Sequence, residues 1–213
     1  MEQILQVLNN IDTSLHYYFE VYGVAIYVLL FWVIYCKTAF VVLTFLPGDT
    51  TAFASGTFTA MGELELWVLF VLFVTATALG DSQNFLIGKY VGKIRSKNHF
   101  LIRLISEETV AKTRNFLTDY GKVAIIFSRF VPLMRTSIPF VAGYTGFAYH
   151  SFFSFNLIGG LIWTTVWLGA GFILGNFTWV EQNLFVTLLF VSCTAFIPAV
   201  IGFMTKYKKI SHL

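Results

Sequence analysis

Apolar residues in this chain come in long runs, and the runs set the architecture that the sequence predicts. Val24–Tyr35, Leu66–Leu79, Phe152–Leu174 and Leu184–Met204 are the clearest of them. A helix crossing a hydrocarbon core of about 30 Å needs roughly 20 apolar residues, so the pattern predicts an all-α polytopic membrane protein. Before the first run, Ile4, Leu5, Leu8, Ile11 and Leu15 recur at helical spacing with polar residues between them. That spacing predicts an amphipathic helix over 1–22 lying on the membrane surface, although it also suits an ordinary solvated helix. A membrane domain is then expected over 23–205, and a basic tail over 206–213.

Two stretches interrupt the simple picture. The first apolar stretch breaks at Pro47-Gly48, and the apolar piece after it, Thr50–Met61, is too short to cross. Val123–Tyr149 contains Arg129, Arg135, Pro132, Pro139, Gly143 and Gly146, poor material for a helix facing lipid. Broken backbone at membrane depth is tolerated where protein or a water-filled cavity surrounds it. We therefore expect re-entrant hairpins at 37–61 and 123–149, with breaks at Pro47, Gly48, Pro132, Pro139 and Gly143. A span at 64–88, a polar connector at 89–122 and spans at 152–175 and 184–205 complete the expected order. Within the connector, Ser106-Glu107-Glu108 reads as a helix start and Gly121 as its end. The short echo Phe45-Leu46-Pro47 against Phe130-Val131-Pro132 suggests an inverted repeat of the kind that places a transporter site near the midplane.

Composition supports the membrane assignment. The chain is 57% hydrophobic with 24 Phe and 12% charged, and its mean hydropathy is +0.73, more apolar surface than a soluble fold could hide. Cys36 and Cys193 lie in separate apolar runs and suggest neither a disulfide framework nor a metal site. Met1–Glu20 is polar and mildly acidic, unlike a cleavable signal, so insertion is expected to rely on the later spans.

The net charge of +3 matters less than where the charges lie. Of 14 Lys and Arg, eight fall between Lys89 and Lys122, and Lys206, Lys208 and Lys209 fall at the C-terminus. Both segments are cytoplasmic under the positive-inside rule, and this placement points to membrane topology rather than nucleic acid. An even number of crossings must join them. Treating 123–149 as a hairpin that returns to its own side satisfies that parity.

Lys37, Arg129 and Arg135 are the remaining bases, and with Asp49 and Asp81 they are the ionisable groups expected at membrane depth. Such groups are costly there and are functional hypotheses by default. Three bases and two acids leave one positive charge that an anion could complete. Guanidinium forks suit phosphate oxygens and stay protonated, and a break at Pro132 would let Arg129 and Arg135 converge. Alternatively, each arginine pairs with Asp49 or Asp81 and holds the hairpins together. Asp49 stands where an N-cap would start a short helix, whose free N–H groups also favour a phosphate. Asp81 has no local structural need and suits proton carrying or arginine pairing. Trp163 reads as an interface anchor or core residue, and Gly159 and Gly160 as helix-packing positions. No paired-His metal spacing, phosphate loop or nucleophile elbow occurs, and no His accompanies the arginines, so neither an enzyme nor a bound cofactor is expected.

Taken in order, Phe45-Leu46-Pro47-Gly48-Asp49, Gly80-Asp81 with Asn84, Phe85, Gly88 and Gly92, Tyr120-Gly121, Arg129-Phe130-Val131-Pro132, Arg135, Pro139, Ala142-Gly143, Phe155-Asn156, Gly159 and Trp163 resemble the DedA family of bacterial membrane proteins, within the SNARE-associated or VTT-domain group. The resemblance covers roughly residues 20–205. It implies two opposed re-entrant hairpins in the bacterial cytoplasmic membrane and movement of lipids between leaflets. Members have been linked to undecaprenyl phosphate recycling, others to phosphatidylethanolamine or general phospholipid scrambling, and many to the proton motive force. By position, Asp49 and Asp81 match the family's acidic residues, and Arg129 and Arg135 its two required arginines. Many members carry Glu where this chain has Lys37, which puts coupling to a proton gradient in question and strengthens attraction for an anion. The expectation is a lipid transporter whose partner is an anionic headgroup, undecaprenyl phosphate or a phospholipid, bound by Arg129, Arg135 and Lys37, with Asp49 and Asp81 as ion-pair or proton-carrying groups. Coupling to a proton or sodium gradient and assembly as a homo-oligomer are both compatible with it. A membrane structural or assembly factor, its buried ion pairs serving only the fold, is the alternative.

Overall fold

The computed structural model describes residues 23–40, 43, 48–94, 107–131, 134–183 and 186–190. The expected helix at 1–22, the breaks at Pro47 and Pro132, Ser106, Cys193, the basic tail and most of the expected span at 184–205 lie outside the described residues. Every described element is helical: α1 (Gly23–Ala39), α2 (Gly48–Ala60), α3 (Leu66–Ile94), α4 (Glu107–Tyr120), α5 (Val123–Phe127) running into a 3-10 turn (Ser128–Phe130), α6 (Met134–Tyr144), α7 (Tyr149–Gly175) and α8 (Thr178–Gln182).

Two of these helices, α3 with 29 residues and α7 with 27, are long and apolar enough to cross a membrane. At 1.5 Å per residue each exceeds the hydrocarbon thickness. Their outward residues are large and apolar, among them Trp67, Val71, Leu86, Ile162, Val166 and Ile173, as expected of surfaces that face lipid.

The shorter helices α2 and α6, of 13 and 11 residues, cannot span. Each packs on a long helix distant in sequence, α2 on α7 and α6 on α3. Both crossings are built the same way. A Cβ at Gly56 would collide with the Leu168 carbonyl, and one at Gly171 with the Phe53 carbonyl. At the other crossing Gly143 faces the Phe85 carbonyl and Gly88 the Phe140 carbonyl. Since lipid is as apolar as a leucine side chain, close backbone approach at small residues is what holds membrane helices together. Asn84, 1% exposed, adds a polar tie by donating to the Thr136 carbonyl of α6 at 2.8 Å.

Two details differ from the sequence expectation. Pro139 does not break a helix; it lies within α6, where it forfeits one intrahelical hydrogen bond to the Arg135 carbonyl. Gly143 is likewise helical, and its role is the close approach to α3. The chain turns after Tyr144 instead, with Gly146 at φ +77°, a conformation that suits glycine. In the connector, α4 ends as expected: Gly121 adopts φ +59° and its N–H donates to the Leu117 carbonyl at 2.9 Å. Leu117 of α4 then packs against the buried residues of α6.

Candidate functional site

The five charged residues singled out in the sequence gather where α1, α2, α3, the 3-10 turn and α6 meet one face of α7, and four of them form two separate ion pairs. Arg129, in the 3-10 turn, reaches Asp81 in the middle of α3, with Nη2 donating to Asp81 Oδ2 at 2.5 Å. The same Nη2 donates to Asn156 Oδ1 at 2.7 Å and to the Asn156 carbonyl at 3.2 Å. Arg129 and Asp81 are each 2% exposed in their side chains.

Gly159 and Gly160 make room for this guanidinium. A Cβ at Gly159 would lie 3.1 Å from Arg129 Cδ and Nε, and one at Gly160 would lie 3.6 Å from Nη2. The glycine pair read as a helix-packing feature therefore accommodates an arginine side chain.

Arg135, the second residue of α6, pairs with Asp49 in the first turn of α2. Its Nη1 donates to Asp49 Oδ1 at 2.6 Å, and Trp163 Nε1 donates to the same oxygen at 2.8 Å. The guanidinium carbon also lies 4.4 Å from the centroid of the Trp163 ring, within cation–π range. Trp163 is 0% exposed, so of the two sequence readings it is a core residue, and its contacts with Asp49 and Arg135 make it a member of the site. Asp49 sits inside the helix and not at its cap, and it retains 23% side-chain exposure.

Lys37, 6% exposed, lies over the start of α2, where a Cβ at Gly48 would come within 2.6 Å of its Nζ. Glycine at 48 thus leaves the space in which the lysine side chain packs. Lys37 is within Coulombic reach of both Arg135 and Asp49, and it has no salt bridge to a carboxylate among the described residues.

These pairings leave more donors than acceptors. Arg129 Nε and Nη1, Arg135 Nε and Nη2, and Asn156 Nδ2 are buried without a hydrogen-bond partner, as is the Thr164 hydroxyl, whereas Asp81 Oδ1 is the one carboxylate oxygen so left among the described residues. A buried polar group without a partner costs about 1–3 kcal/mol, more if charged. Donors that remain unpaired in such numbers fit an anion rich in acceptor oxygens.

Sequence reading selected all five charged residues, and the structure brings all five to one region. It did not select Asn156 or Trp163, which touch one ion pair each. They are seven residues apart on α7, which places them on one face about 10 Å apart along the axis. A polar residue within an apolar run, followed at matching helical positions by two glycines and a tryptophan, is the pattern that could have identified this face.

Comparison with known proteins identifies the family. Residues 46–173 match the VTT domain. The chain is 32% identical to Protein DedA of Escherichia coli over 200 residues, covering 93% of this chain and 91% of that protein. It is 31% identical to the uncharacterized membrane protein ML0287 of Mycobacterium leprae, covering 78% and 75% of the two chains, and 25% identical to the E. coli inner membrane protein YghB, covering 74% and 72%. No solved structure matches significantly. With a family domain spanning more than half its length and a relative above 30% identity along nearly all of it, the chain belongs to the DedA family of VTT-domain membrane proteins.

Proposed function

We propose that this protein moves a lipid with an anionic phosphate headgroup between the leaflets of the bacterial cytoplasmic membrane, with undecaprenyl phosphate as the preferred cargo. The observation that carries the proposal is the surplus of buried N–H groups on Arg129, Arg135 and Asn156, together with Lys37, whose charge no carboxylate pairs among the described residues. A phosphomonoester brings several acceptor oxygens and up to two negative charges, so it answers both the unpaired donors and the extra positive charge. A zwitterionic phospholipid offers less on each count and is the secondary cargo.

In this reading, 37–61 and 123–149 are re-entrant hairpins related by an inverted repeat. The support is the reciprocal packing of α2 on α7 and α6 on α3 through matched glycines. Such repeats give a site that one half can open to either leaflet by rocking against the other. Asp49 and Asp81 release and recapture the arginines as the headgroup enters and leaves, and the prenyl or acyl chain stays in lipid. The 89–122 connector and the C-terminus face the cytoplasm. No bond in the cargo is made or broken, so the activity is transport and not catalysis.

Reconstitution in proteoliposomes containing a labelled polyprenyl phosphate tests the proposal. We expect Arg129→Ala combined with Arg135→Ala to abolish lipid movement above the protein-free rate. Unchanged movement would leave the ion pairs as fold stabilisers and support the structural alternative.

A further inference from the structure

The arginines differ in which nitrogen atoms are free, and on the lipid-phosphate reading above that difference divides their work. On Arg135, Nη1 is occupied by Asp49 while Nε and Nη2 have no partner. Those two N–H groups lie parallel along one edge of the guanidinium plane, the fork that fits two oxygens of a phosphate. On Arg129, Nη2 is occupied, by Asp81 and by both oxygens of Asn156, and the free atoms are Nε and Nη1. These lie on opposite sides of the Cζ–Nη2 axis and form no fork. The Arg135 pair is also the less buried, through Asp49 at 23% exposure against 2% for Asp81, with Arg135 itself at 5%.

Trp163 touches both members of the accessible pair. Its ring backs the Arg135 guanidinium and its N–H shares Asp49 Oδ1 with Arg135. If an arriving phosphate draws Arg135 away, Asp49 would otherwise be left as a partly buried carboxylate without a side-chain hydrogen bond, an unfavourable state. The Trp163 N–H already occupies the position that removes that cost.

We propose that the headgroup phosphate docks on the Nε–Nη2 edge of Arg135, and that Trp163 is the positioning residue for this step, its ring fixing the guanidinium plane and its N–H keeping Asp49 partnered. In this docking step Arg129 acts by charge at a distance and keeps Asp81 and Asn156.

Trp163→Phe retains an aromatic ring and removes only the N–H. Binding of farnesyl phosphate to the full-length protein in nanodiscs, with farnesol as control, separates the outcomes. We expect wild type to bind the phosphate and not the alcohol, and Trp163→Phe to raise Kd about tenfold with a melting temperature lowered by only a few degrees. In an Asp49→Asn background, where no carboxylate needs the N–H, the same change should alter Kd less than about twofold. A Trp163→Phe variant with unchanged Kd, or with an equal loss in both backgrounds, overturns the role of Trp163. Arg135→Lys keeps the charge without the fork and should weaken phosphate binding about tenfold or more. Wild-type affinity in that variant overturns docking on the fork. If wild type does not distinguish farnesyl phosphate from farnesol, the lipid-phosphate reading itself fails.

Discussion

The two ion pairs are nearly identical in sequence terms and different in the structure. Each acid follows a glycine, Gly48-Asp49 and Gly80-Asp81, and the two arginines lie six residues apart. Yet Asp81 sits in the middle of a 29-residue helix whose backbone groups satisfy one another, so its carboxylate depends on the Arg129 side chain, which Asn156 holds in turn. Asp49 sits in the first turn of a short helix, partly exposed, and shares its partner with an indole. Position on the element, more than residue type, makes one pair a closed tie and the other an accessible one.

The largest effect that would test this distinction comes from removing one arginine at a time. Arg129→Met would leave Asp81 as a buried carboxylate without its ion-pair partner, and removing one member of a buried pair costs about 3–5 kcal/mol. Arg135→Met leaves Asp49 the Trp163 N–H and some access to water, so we expect a loss of about 1–2 kcal/mol. Thermal unfolding of the two variants in the same detergent measures the difference. Equal losses would mean that the pairs are equivalent in stability and that exposure is a poor guide to role.

How much of this was legible in the sequence follows from the same physics. The spans over α3 and α7 were visible because run length against bilayer thickness is a local property, and the five charges stood out because charge in an apolar run is rare. Which arginine meets which acid was not visible, since it depends on how α2 crosses α7 and α6 crosses α3, contacts between residues more than 50 positions apart. Pro139 misled because a proline reads as a break, while the packing of α6 on α3 tolerates the lost hydrogen bond. Trp163 is a core residue, one of the two readings its apolar run allowed, and only the arrival of Arg135 and Asp49 from other elements reveals its further role. Asn156 appeared only within the family resemblance, without a role, because its partner Arg129 comes from a different element.

An intermediate effect is expected at the glycine crossings, which hold both pairs in register. Gly143→Leu forces side-chain volume against the Phe85 carbonyl and Gly171→Leu against the Phe53 carbonyl, and overpacking of this kind costs about 1–3 kcal/mol. Gly143→Leu separates α6 from α3 and should disturb both arginines. Gly171→Leu acts at the α2–α7 crossing, which carries Asp49 and Trp163, and should weaken the accessible pair while sparing Arg129. Thermal unfolding measures the stability of each variant, and farnesyl phosphate binding reports the state of Arg135. A Gly171→Leu variant that destabilises the protein without altering binding would uncouple that crossing from the site.

The smallest effect concerns Lys37, which lies beside the Arg135 pair. Its Nζ packs over Gly48 next to Asp49 and adds positive charge without a paired carboxylate among the described residues. It touches neither guanidinium in a hydrogen bond, so its contribution to an anion is Coulombic and graded. Lys37→Met keeps most of the side-chain volume and removes the charge. We expect farnesyl phosphate binding to weaken about threefold to fivefold, because a charge near a partly buried site is worth roughly 1 kcal/mol after screening. Melting should change by less than about 1 kcal/mol, since no buried partner is stranded. Because the charge is 6% exposed, the loss should depend only weakly on added salt. A loss that vanishes at high salt would instead place Lys37 in contact with bulk water and make it a steering charge outside the site.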